Sequence, residues 1–138
     1  MRITKTYSHL LLLGTFKERF DYLSIGGKVG ESTFGSKRYL NQVLYTSDAW
    51  RKLRDDIIIR DNGCDLGVPG FDIGGLIYIH HMNPITIEDI ERRSPCVMDP
   101  ENLICVSRLT HEAIHYGDYR LVENSIFSER LPGDTRLW

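Results

Sequence analysis

The clearest periodic pattern in the chain is an apolar stripe that predicts one amphipathic helix. Its positions follow the spacing i, i+3, i+7 and i+8, and they are Trp50, Leu53, Ile57 and Ile58. Residues at this spacing share one helix face, so the stripe should face the core. Ser47 stands where an N-terminal cap is needed, and the Asp-Asn-Gly at 61–63 should end the helix with Gly63 in the left-handed conformation.

Upstream of this helix, the pattern predicts a shorter helix followed by a loop. Thr15 is a candidate cap for apolar residues at helical spacing, namely Phe16, Phe20 and Leu23. Four glycines punctuate residues 24–42, which favours a tightly turned structural loop. A glycine-rich loop can also bind phosphate, but the letters here do not match G-x-x-x-x-G-K-[ST].

Downstream, two apolar runs indicate strands on either side of a long connection. The first, at 76–81, ends in a pair of histidines, and the second lies at 103–107. Between them, a variant of the capping box at 86–89 predicts a short helix through residue 93. The letters of 108–116 predict the final helix. This order of strand, long connection, strand and helix indicates an α+β fold.

Length and composition describe one ordinary globular domain. The 138 residues are 41% hydrophobic and 26% charged, which is typical of soluble proteins with a single core. We expect an N-terminal extension at 1–44, a core at 45–118 and a C-terminal tail at 119–138. No stretch approaches the roughly 20 apolar residues that cross a membrane, and the apolar run Leu10–Leu13 is too short for a secretory signal.

Charge and cysteine content exclude several classes of protein. A net charge of −2 and a pI near 6.2 argue against coating nucleic acid through bulk charge, although a nuclease needs only a local basic face. The cysteines, Cys64, Cys96 and Cys105, are odd in number and form no Cys-x-x-Cys pair. A disulfide scaffold is therefore not expected, and we predict a reduced, cytoplasmic protein.

Four of the five histidines lie within 36 positions of one another, which indicates a shared site. His111 and His115 are four apart on the last predicted helix, where Cβ atoms lie about 5–6 Å apart, so both imidazoles can bind one ion. Strand alternation would send His80 and His81 to opposite faces. The loss of apolar pattern after Met82 indicates that the strand ends there, so that one histidine can bind metal while the other faces substrate. The competing interpretation is a set of buried or exposed structural histidines.

The last predicted helix also matches the HExxH pattern of zinc peptidases. In such enzymes His111 and His115 would bind zinc, and Glu112 would activate water. The H-x-x-G-x-x-H extension is absent, and the downstream glutamates are Glu123 and Glu129. Little chain remains for a third ligand and a substrate cleft, and the paired histidines would have no use. A peptidase is therefore the less favoured alternative.

Three segments together resemble a known nuclease motif. The letters HHMNP at 80–84, ENL at 101–103 and HEAIH at 111–115 are similar to those of phage-type HNH endonucleases with the ββα-metal fold. The segment 45–67 resembles the helix and turn that precede this motif in phage HNH proteins, and the likeness covers most of 14–118. The resemblance implies a colicin-like H-H…N…H-x-x-x-H ligand set and metal-dependent hydrolysis of phosphodiester bonds in DNA.

The resemblance also implies a role for each matching residue. His80, His111 and His115 would bind one divalent metal ion, and His81 would be the general base. Asn102 would fix the loop that carries the paired histidines. An unperturbed imidazole has a pKa of about 6.5 and can accept a proton near neutral pH. Three imidazoles favour zinc, nickel, cobalt or manganese, whereas the resemblance implies magnesium or manganese.

The chain departs from many HNH proteins at the place of their structural zinc. Where they carry two Cys-x-x-Cys pairs, the matching residues here are Cys64, Gly67, Ser107 and Thr110. Cys105 is out of register with these positions. We therefore expect no structural four-cysteine zinc, and a fold that relies on its apolar core and N-terminal extension.

DNA contact is expected from a local basic surface. The candidate phosphate-binding residues lie around the first long helix and on the short helix after the histidine pair; they are Lys37, Arg38, Arg51, Lys52, Arg54, Arg92 and Arg93. Arg60 adds to the same charge. Asp55 and Asp56 offer internal partners, so a solvated helix face is the alternative. Phosphate contacts position a duplex without reading its sequence.

The expected function is therefore that of a phage-encoded, metal-dependent DNA endonuclease in the host cytoplasm. HNH proteins that resemble this one include partners of the terminase that packages phage genomes, so DNA and packaging proteins are the expected partners, and no membrane is. The alternative class is a non-catalytic accessory module whose metal supports the fold.

Overall fold

Two small antiparallel sheets surrounded by helices form a mixed α+β structure, as the sequence predicts. This computed structural model describes residues 4–24 and 43–126. Its helices include α1 Tyr7–Leu10, α2 Phe16–Leu23, α3 Asp48–Arg60, α4 Ile87–Glu91, α5 Pro95–Met98, α6 Arg108–Tyr116 and α7 Arg120–Ile126, with a 3₁₀ turn at Pro100–Asn102. Its strands include β1 Cys64–Asp65, β2 Phe71–Asp72, β3 Tyr78–His81 and β4 Leu103–Val106. The predicted glycine loop beyond Ser24 lies outside the described residues.

Helix α3 begins and ends where its sequence signals predict. The Ser47 side chain accepts a hydrogen bond from the Trp50 N–H and caps the first turn. At the other end Gly63 has a φ of 66°, and its N–H donates to the carbonyl of Ile58. Because glycine has no Cβ, it enters this left-handed conformation at little steric cost. Helix α2 likewise begins behind the predicted cap, Thr15.

Helix α4 has the predicted start and an earlier end. Thr86 and Asp89 each accept a hydrogen bond from the other's backbone N–H, which completes the capping box. The helix ends at Glu91, and Arg93 has a φ of 54°, a left-handed conformation that leaves the helix. The predicted extent through residue 93 was therefore too long by two residues.

Helix α6 has the predicted bounds, but it is not the last helix. The segment predicted as a tail contains α7, which packs against α6 and α2. Its Val122 is fully buried in a cluster with Phe20, Val68 and Ala113. Complete burial of a side chain of this size stabilises a fold by about 1.5–3 kcal/mol, so α7 belongs to the packed structure.

Strand β4 lies in the centre of the core, and all its residues are buried. On one face Leu103 and Cys105 pack against α3. On the other face Ile104 and Val106 pack with Ile114 of α6. Successive strand residues point to opposite faces, so β4 joins two apolar clusters that cover its two sides.

The same alternation separates the two neighbouring histidines of β3. In the antiparallel pair His80 lies opposite Ile104 and His81 lies opposite Leu103. Directly opposed residues share a face of the sheet, so His80 faces α6 while His81 faces α3. Strand β3 ends at His81, near its predicted end, but the alternation holds through both histidines because both pair with β4.

Candidate metal centre

Three histidine side chains converge between β3 and α6. The nitrogen ligand atoms of His80, His111 and His115 all lie within 4.8 Å of one another. The Nε2 atoms of His111 and His115 are 3.1 Å apart. The ring centroid of His80 lies 5.3 Å and 5.4 Å from the centroids of the two helical rings. These three residues, hereafter the histidine cluster, can hold one metal ion.

The histidine cluster follows from two local periodicities. In α6, residues four apart lie on the same face, so His111 and His115 turn their rings to one side. The helix is held in place by Ser107, whose side chain accepts a hydrogen bond from the Thr110 N–H. Strand alternation presents His80 to this helix face. The predicted convergence of the three residues is therefore observed.

Among the described residues, one buried ring nitrogen of the histidine cluster has no hydrogen-bond partner. His80 is 3% exposed, and its Nε2 has no hydrogen-bond partner among the residues that the structure describes. A buried polar atom without a partner costs about 1–3 kcal/mol. A metal ion would satisfy the Nε2 lone pair, and three imidazoles are a suitable donor set for zinc, nickel, cobalt or manganese. The residues present therefore fit a divalent metal ion.

Burial keeps the histidine cluster neutral. It lowers the pKa of His111 to about 4, with a further lowering by the neighbouring His115. It also lowers the pKa of His115. The pKa of His80 falls well below its ordinary value, first through burial and then through the charges of the other histidines and Lys5. Neutral imidazoles carry the free lone pairs that metal binding requires.

His81 lies on the opposite face of β3 and is not part of the histidine cluster. Its Nε2 is 2.8 Å from the carbonyl oxygen of Val97. Because a carbonyl oxygen only accepts hydrogen bonds, Nε2 carries the proton and Nδ1 keeps its lone pair in the neutral ring. Burial lowers the pKa of His81, and the hydrogen bond to Val97 partly opposes that shift. The ring also stacks on Trp50, which the sequence pattern had placed only in the core.

Asn102 connects the turn after the paired histidines to helix α5. It is fully buried in the 3₁₀ turn before β4. Its Nδ2 donates to the carbonyls of Cys96 and Asn83 at 2.9 Å and 3.2 Å. Its Oδ1 accepts from the Asn83 N–H at 2.7 Å. Asn102 thus ties the turn after the paired histidines to α5, where the resemblance implied a structural role.

Asn83 is a central residue that the sequence reasoning missed. Its side chain bonds to Asn102 and also to the N-terminal backbone at Thr4 and Lys5. The available signal was its position directly before Pro84, because asparagine in turns commonly bonds to nearby backbone. That signal does not identify a partner 78 positions away.

A buried carboxylate occupies the region where the resemblance would place the structural zinc. Asp65 is 1% exposed and accepts hydrogen bonds from the Gly67 N–H, the Ser107 N–H and the Thr110 hydroxyl, at 2.9, 3.1 and 2.6 Å. A Cβ added to Gly67 would lie 2.6 Å from the Thr110 side chain, so the backbone approaches closely there. Three of the four positions matched to zinc ligands thus contact one carboxylate.

The predicted DNA-binding residues are divided into three groups. Neighbouring carboxylates pair with Lys52, Arg54 and Arg92. Two residues are exposed and form no ion pair within the described ranges, Arg51 and Arg93. The remaining two lie outside the described residues, Lys37 and Arg38. Surface ion pairs contribute at most about 1 kcal/mol, so the pairs leave these cations available to phosphate.

Arg60 has a structural role that the sequence did not indicate. Its guanidinium donates to the carbonyl oxygens of Pro100 and Leu103 and to the Asp61 carboxylate, at 2.6–2.8 Å for the shortest bonds. It also lies 3.6 Å from the ring centroid of Tyr7. With most of its donors occupied inside the fold, Arg60 has fewer of them left for a DNA phosphate.

Glu112, the glutamate of the HExxH pattern, pairs with an arginine of the same helix. Glu112 accepts a hydrogen bond from Arg108 Nε at 3.1 Å along the surface of α6. The third member of the histidine cluster is His80, which precedes the helix in the chain, rather than a downstream glutamate. Glu129 lies outside the described residues. This arrangement differs from the ligand order that a zinc peptidase requires.

Comparison with known proteins found no match among protein-family models, curated proteins or solved structures. Within residues 4–24 and 43–126, no helix is both long and apolar enough to cross a bilayer.

Proposed function

We propose that the chain is a metal-dependent DNA endonuclease whose β3, β4 and α6 form an HNH-type ββα-metal core. The proposal rests chiefly on the unsatisfied Nε2 of His80, buried beside the other two imidazoles of the histidine cluster. His81, the next residue in the sequence, faces the other side of β3, and its Nε2–H bond to Val97 leaves the lone pair of the neutral ring on Nδ1. A metal site next to an oriented histidine is the combination that phosphodiester hydrolysis needs.

The residues of the chain divide the chemistry between them. A divalent cation held by the histidine cluster would supply positive charge to a phosphate oxygen and to the leaving 3′-oxygen. His81 accepts the proton of the attacking water at Nδ1, while its Nε2–H continues to donate to Val97. The Trp50 face stabilises the imidazolium that forms. Asn102 holds the turn that positions the histidine pair.

A second candidate is the accessory module, and the orientation of His81 favours it. His81 faces α3 whereas the histidine cluster faces α6, so the proposed base and the metal site lie on opposite faces of β3. In this case the metal would stabilise the fold, and the chain would assist a phage packaging machine without cutting. Both candidates require the histidine cluster to bind metal.

Nicking of supercoiled plasmid DNA tests the proposal. Purified protein, stripped with a chelator, is supplied separately with Mg²⁺, Mn²⁺, Ni²⁺ or Zn²⁺. We expect nicking with at least one metal, and none in chelator. His81→Ala should lower the cleavage rate by about 10²–10⁴-fold, the usual contribution of a general base. Binding of DNA should weaken as salt rises.

The chain provides matched controls for this experiment. His9→Ala removes an exposed histidine of α1 outside the histidine cluster and should leave cleavage unchanged. Glu112→Gln should also spare cleavage, whereas it would abolish a peptidase activity. A wild-type protein that binds metal but cuts DNA with none of the four ions would support the accessory module instead. Cleavage by His81→Ala at the wild-type rate would refute the assignment of the base.

A further inference from the structure

The N-terminal segment, residues 4–10, is attached to the turn that follows the paired histidines. The attachment is made by the side chain of Asn83, which is buried. Its Oδ1 accepts hydrogen bonds from the backbone N–H groups of Thr4 and Lys5, at 3.0 and 2.9 Å. Its Nδ2 donates to the Lys5 carbonyl at 2.7 Å. A single carboxamide thus holds the backbone of two residues that lie 79 and 78 positions away in the chain.

These bonds determine which end of the Asn83 carboxamide is oxygen and which is nitrogen. A backbone N–H can only donate a hydrogen bond, and a carbonyl oxygen can only accept one. The two N–H groups of the N-terminal segment therefore require Oδ1, and the carbonyl of Lys5 requires Nδ2. A flipped carboxamide would direct its NH₂ at two donors and its oxygen at an acceptor, which is unfavourable because buried polar groups would lose their partners.

The same constraint passes from Asn83 to Asn102. Both the N–H and the Nδ2 of Asn83 donate to Oδ1 of Asn102, each at 2.7 Å. With its oxygen bound by these donors, Asn102 directs its Nδ2 at the carbonyl of Cys96 in α5, 2.9 Å away. The next carbonyl of α5, that of Val97, is the acceptor for Nε2 of His81. A continuous series of contacts therefore joins the N-terminal backbone to the helix that orients His81.

We propose that Asn83 is a positioning residue, through which the backbone of the N-terminal segment orients the proposed base, His81. This role rests on the proposed function. Backbone groups of residues 4–5 orient Asn83, Asn83 orients Asn102, and Asn102 holds the helix whose carbonyl binds the imidazole. Asn83 acts through these neighbours and contacts no reacting atom. The N-terminal segment, which the sequence pattern assigns to an extension outside the core, is then part of the framework of the site.

Substitution of Asn83 should lower kcat and leave metal binding intact. Asn83→Ala removes both ends of the carboxamide, whereas Asn83→Asp keeps an acceptor and replaces the donor with a second oxygen. A misplacement of about 1 Å can lower a rate about 10²-fold, so both variants should lower kcat about tenfold to hundredfold with little change in KM. The affinity for Mn²⁺ should be retained, because the histidine cluster faces the other side of β3. A parallel loss of Mn²⁺ affinity would show a general loosening of the fold and overturn the proposal.

The backbone of Lys5 provides a second test in the full chain. Lys5→Pro removes the N–H that donates to Asn83 and keeps the carbonyl, whereas Lys5→Ala keeps both groups. Lys5→Pro should lower kcat about threefold to tenfold, the factor expected for one neutral hydrogen bond, and Lys5→Ala should retain most of the rate. Combined with Asn83→Ala, Lys5→Pro should add little further loss, because both substitutions remove the same contact.

The matched control is a different hydrogen bond of the same segment. Ser8→Ala removes the bond from the Ser8 hydroxyl to Glu101, at 3.1 Å, and leaves the bonds of Asn83 in place. It should leave cleavage unchanged. An equal loss of rate in Ser8→Ala and Asn83→Ala would show that any loosening of the segment has this effect, and the specific role of Asn83 would be refuted.

The fluorescence of Trp50 reports the orientation of His81 without cleavage. In a Trp138→Phe background Trp50 is the only tryptophan, and its indole stacks on the imidazole. Well below the unfolding temperature, Asn83→Ala should change the emission of Trp50, because a displaced imidazole alters the surroundings of the indole. Ser8→Ala should not change it. If Asn83→Ala lowered thermal stability but changed neither the emission nor kcat, Asn83 would only support the fold and the proposal would fail.

The two kinds of measurement separate this proposal from the proposed function. If wild-type protein cuts DNA and Asn83→Ala cuts it equally fast, the positioning role is refuted and the nuclease stands. If wild-type protein cuts DNA with no metal ion tested, while Asn83→Ala and Lys5→Pro both change the emission of Trp50, the nuclease is refuted. The connection from the N-terminal segment to His81 then stands.

Discussion

The indole of Trp50 stacks on the imidazole of His81, with ring centroids 5.7 Å apart and planes inclined by 18°. Trp50 is 4% exposed, and Tyr45 contacts it edge to face. The stack fixes the plane of the imidazole, while the bond from Nε2 to the Val97 carbonyl fixes its rotation within that plane. A helix residue and a backbone carbonyl therefore orient the proposed base together.

Substitution of Trp50 should slow catalysis more than it weakens DNA binding. An aromatic face stabilises a nearby cation by about 0.5–2 kcal/mol, so Trp50→Leu should lower kcat roughly 3- to 30-fold with little change in KM. Trp50→Phe keeps an aromatic face and should recover much of kcat. Single-turnover cleavage is measured well below the unfolding temperature of each variant, because a smaller core side chain also lowers stability. Equal kcat values for the Leu and Phe variants would contradict this positioning role.

Substitution of His80 should lower the stability of the metal-loaded protein, but it should not lower the stability of the metal-free protein. His80→Leu replaces an unsatisfied buried nitrogen with an apolar group, so the metal-free variant should be at least as stable as metal-free wild type. A metal at 100 times its Kd should stabilise wild type by about 2.7 kcal/mol. The variant should lose that gain. Thermal unfolding with and without Zn²⁺ measures both effects, with His9→Leu as the control.

The free energy of unfolding of the metal-free protein should depend on pH through the histidine cluster. Burial lowers the pKa of His111 to about 4 in the folded protein, whereas an imidazole in an unfolded chain titrates near about 6.5. Between these values the unfolded chain binds more protons, so stability falls as the pH falls through this window. Above it, both states are neutral and the contribution is constant.

Thermal unfolding in chelator from pH 4 to 8 measures this dependence. The unfolding midpoint should fall as the pH decreases from about 6.5 towards 4. His111→Gln removes one of the titrating groups and should reduce the slope. A midpoint that rises on acidification would show that these histidines gain protons on folding, contrary to their burial.

Short-range sequence patterns predicted most of the helices and strands that the structure describes. The ends of α3 follow from Ser47 and Gly63, because caps depend on residues a few positions away. The convergence of the histidine cluster follows from strand and helix periodicity combined. The roles of His81 and Asn102 stay predictions, since they depend on chemistry that geometry alone does not test.

Contacts between distant segments were not predictable from the sequence. The bonds of Asn83 to Lys5 join residues 78 positions apart, and nothing local distinguishes this amide from others in turns. Arg60 was counted as a surface cation because a helical pattern does not reveal that its donors meet carbonyls of a later segment. Helix α7 was missed because its burial depends on Val122 meeting α2.

The Asp65 carboxylate should stabilise the fold in the region where the resemblance would place zinc. Asp65→Ala leaves the N–H groups of Gly67 and Ser107 without their acceptor, and each buried unsatisfied group costs about 1–3 kcal/mol. Unfolding in urea should therefore show a loss of about 3 kcal/mol, whereas Thr110→Val, which removes one donor, should lose about 1 kcal/mol. Metal analysis should give one bound Zn²⁺ per wild-type chain, because this region holds a hydrogen-bonded carboxylate. Two ions per chain, with one lost in Asp65→Ala, would show that Asp65 is instead a metal ligand.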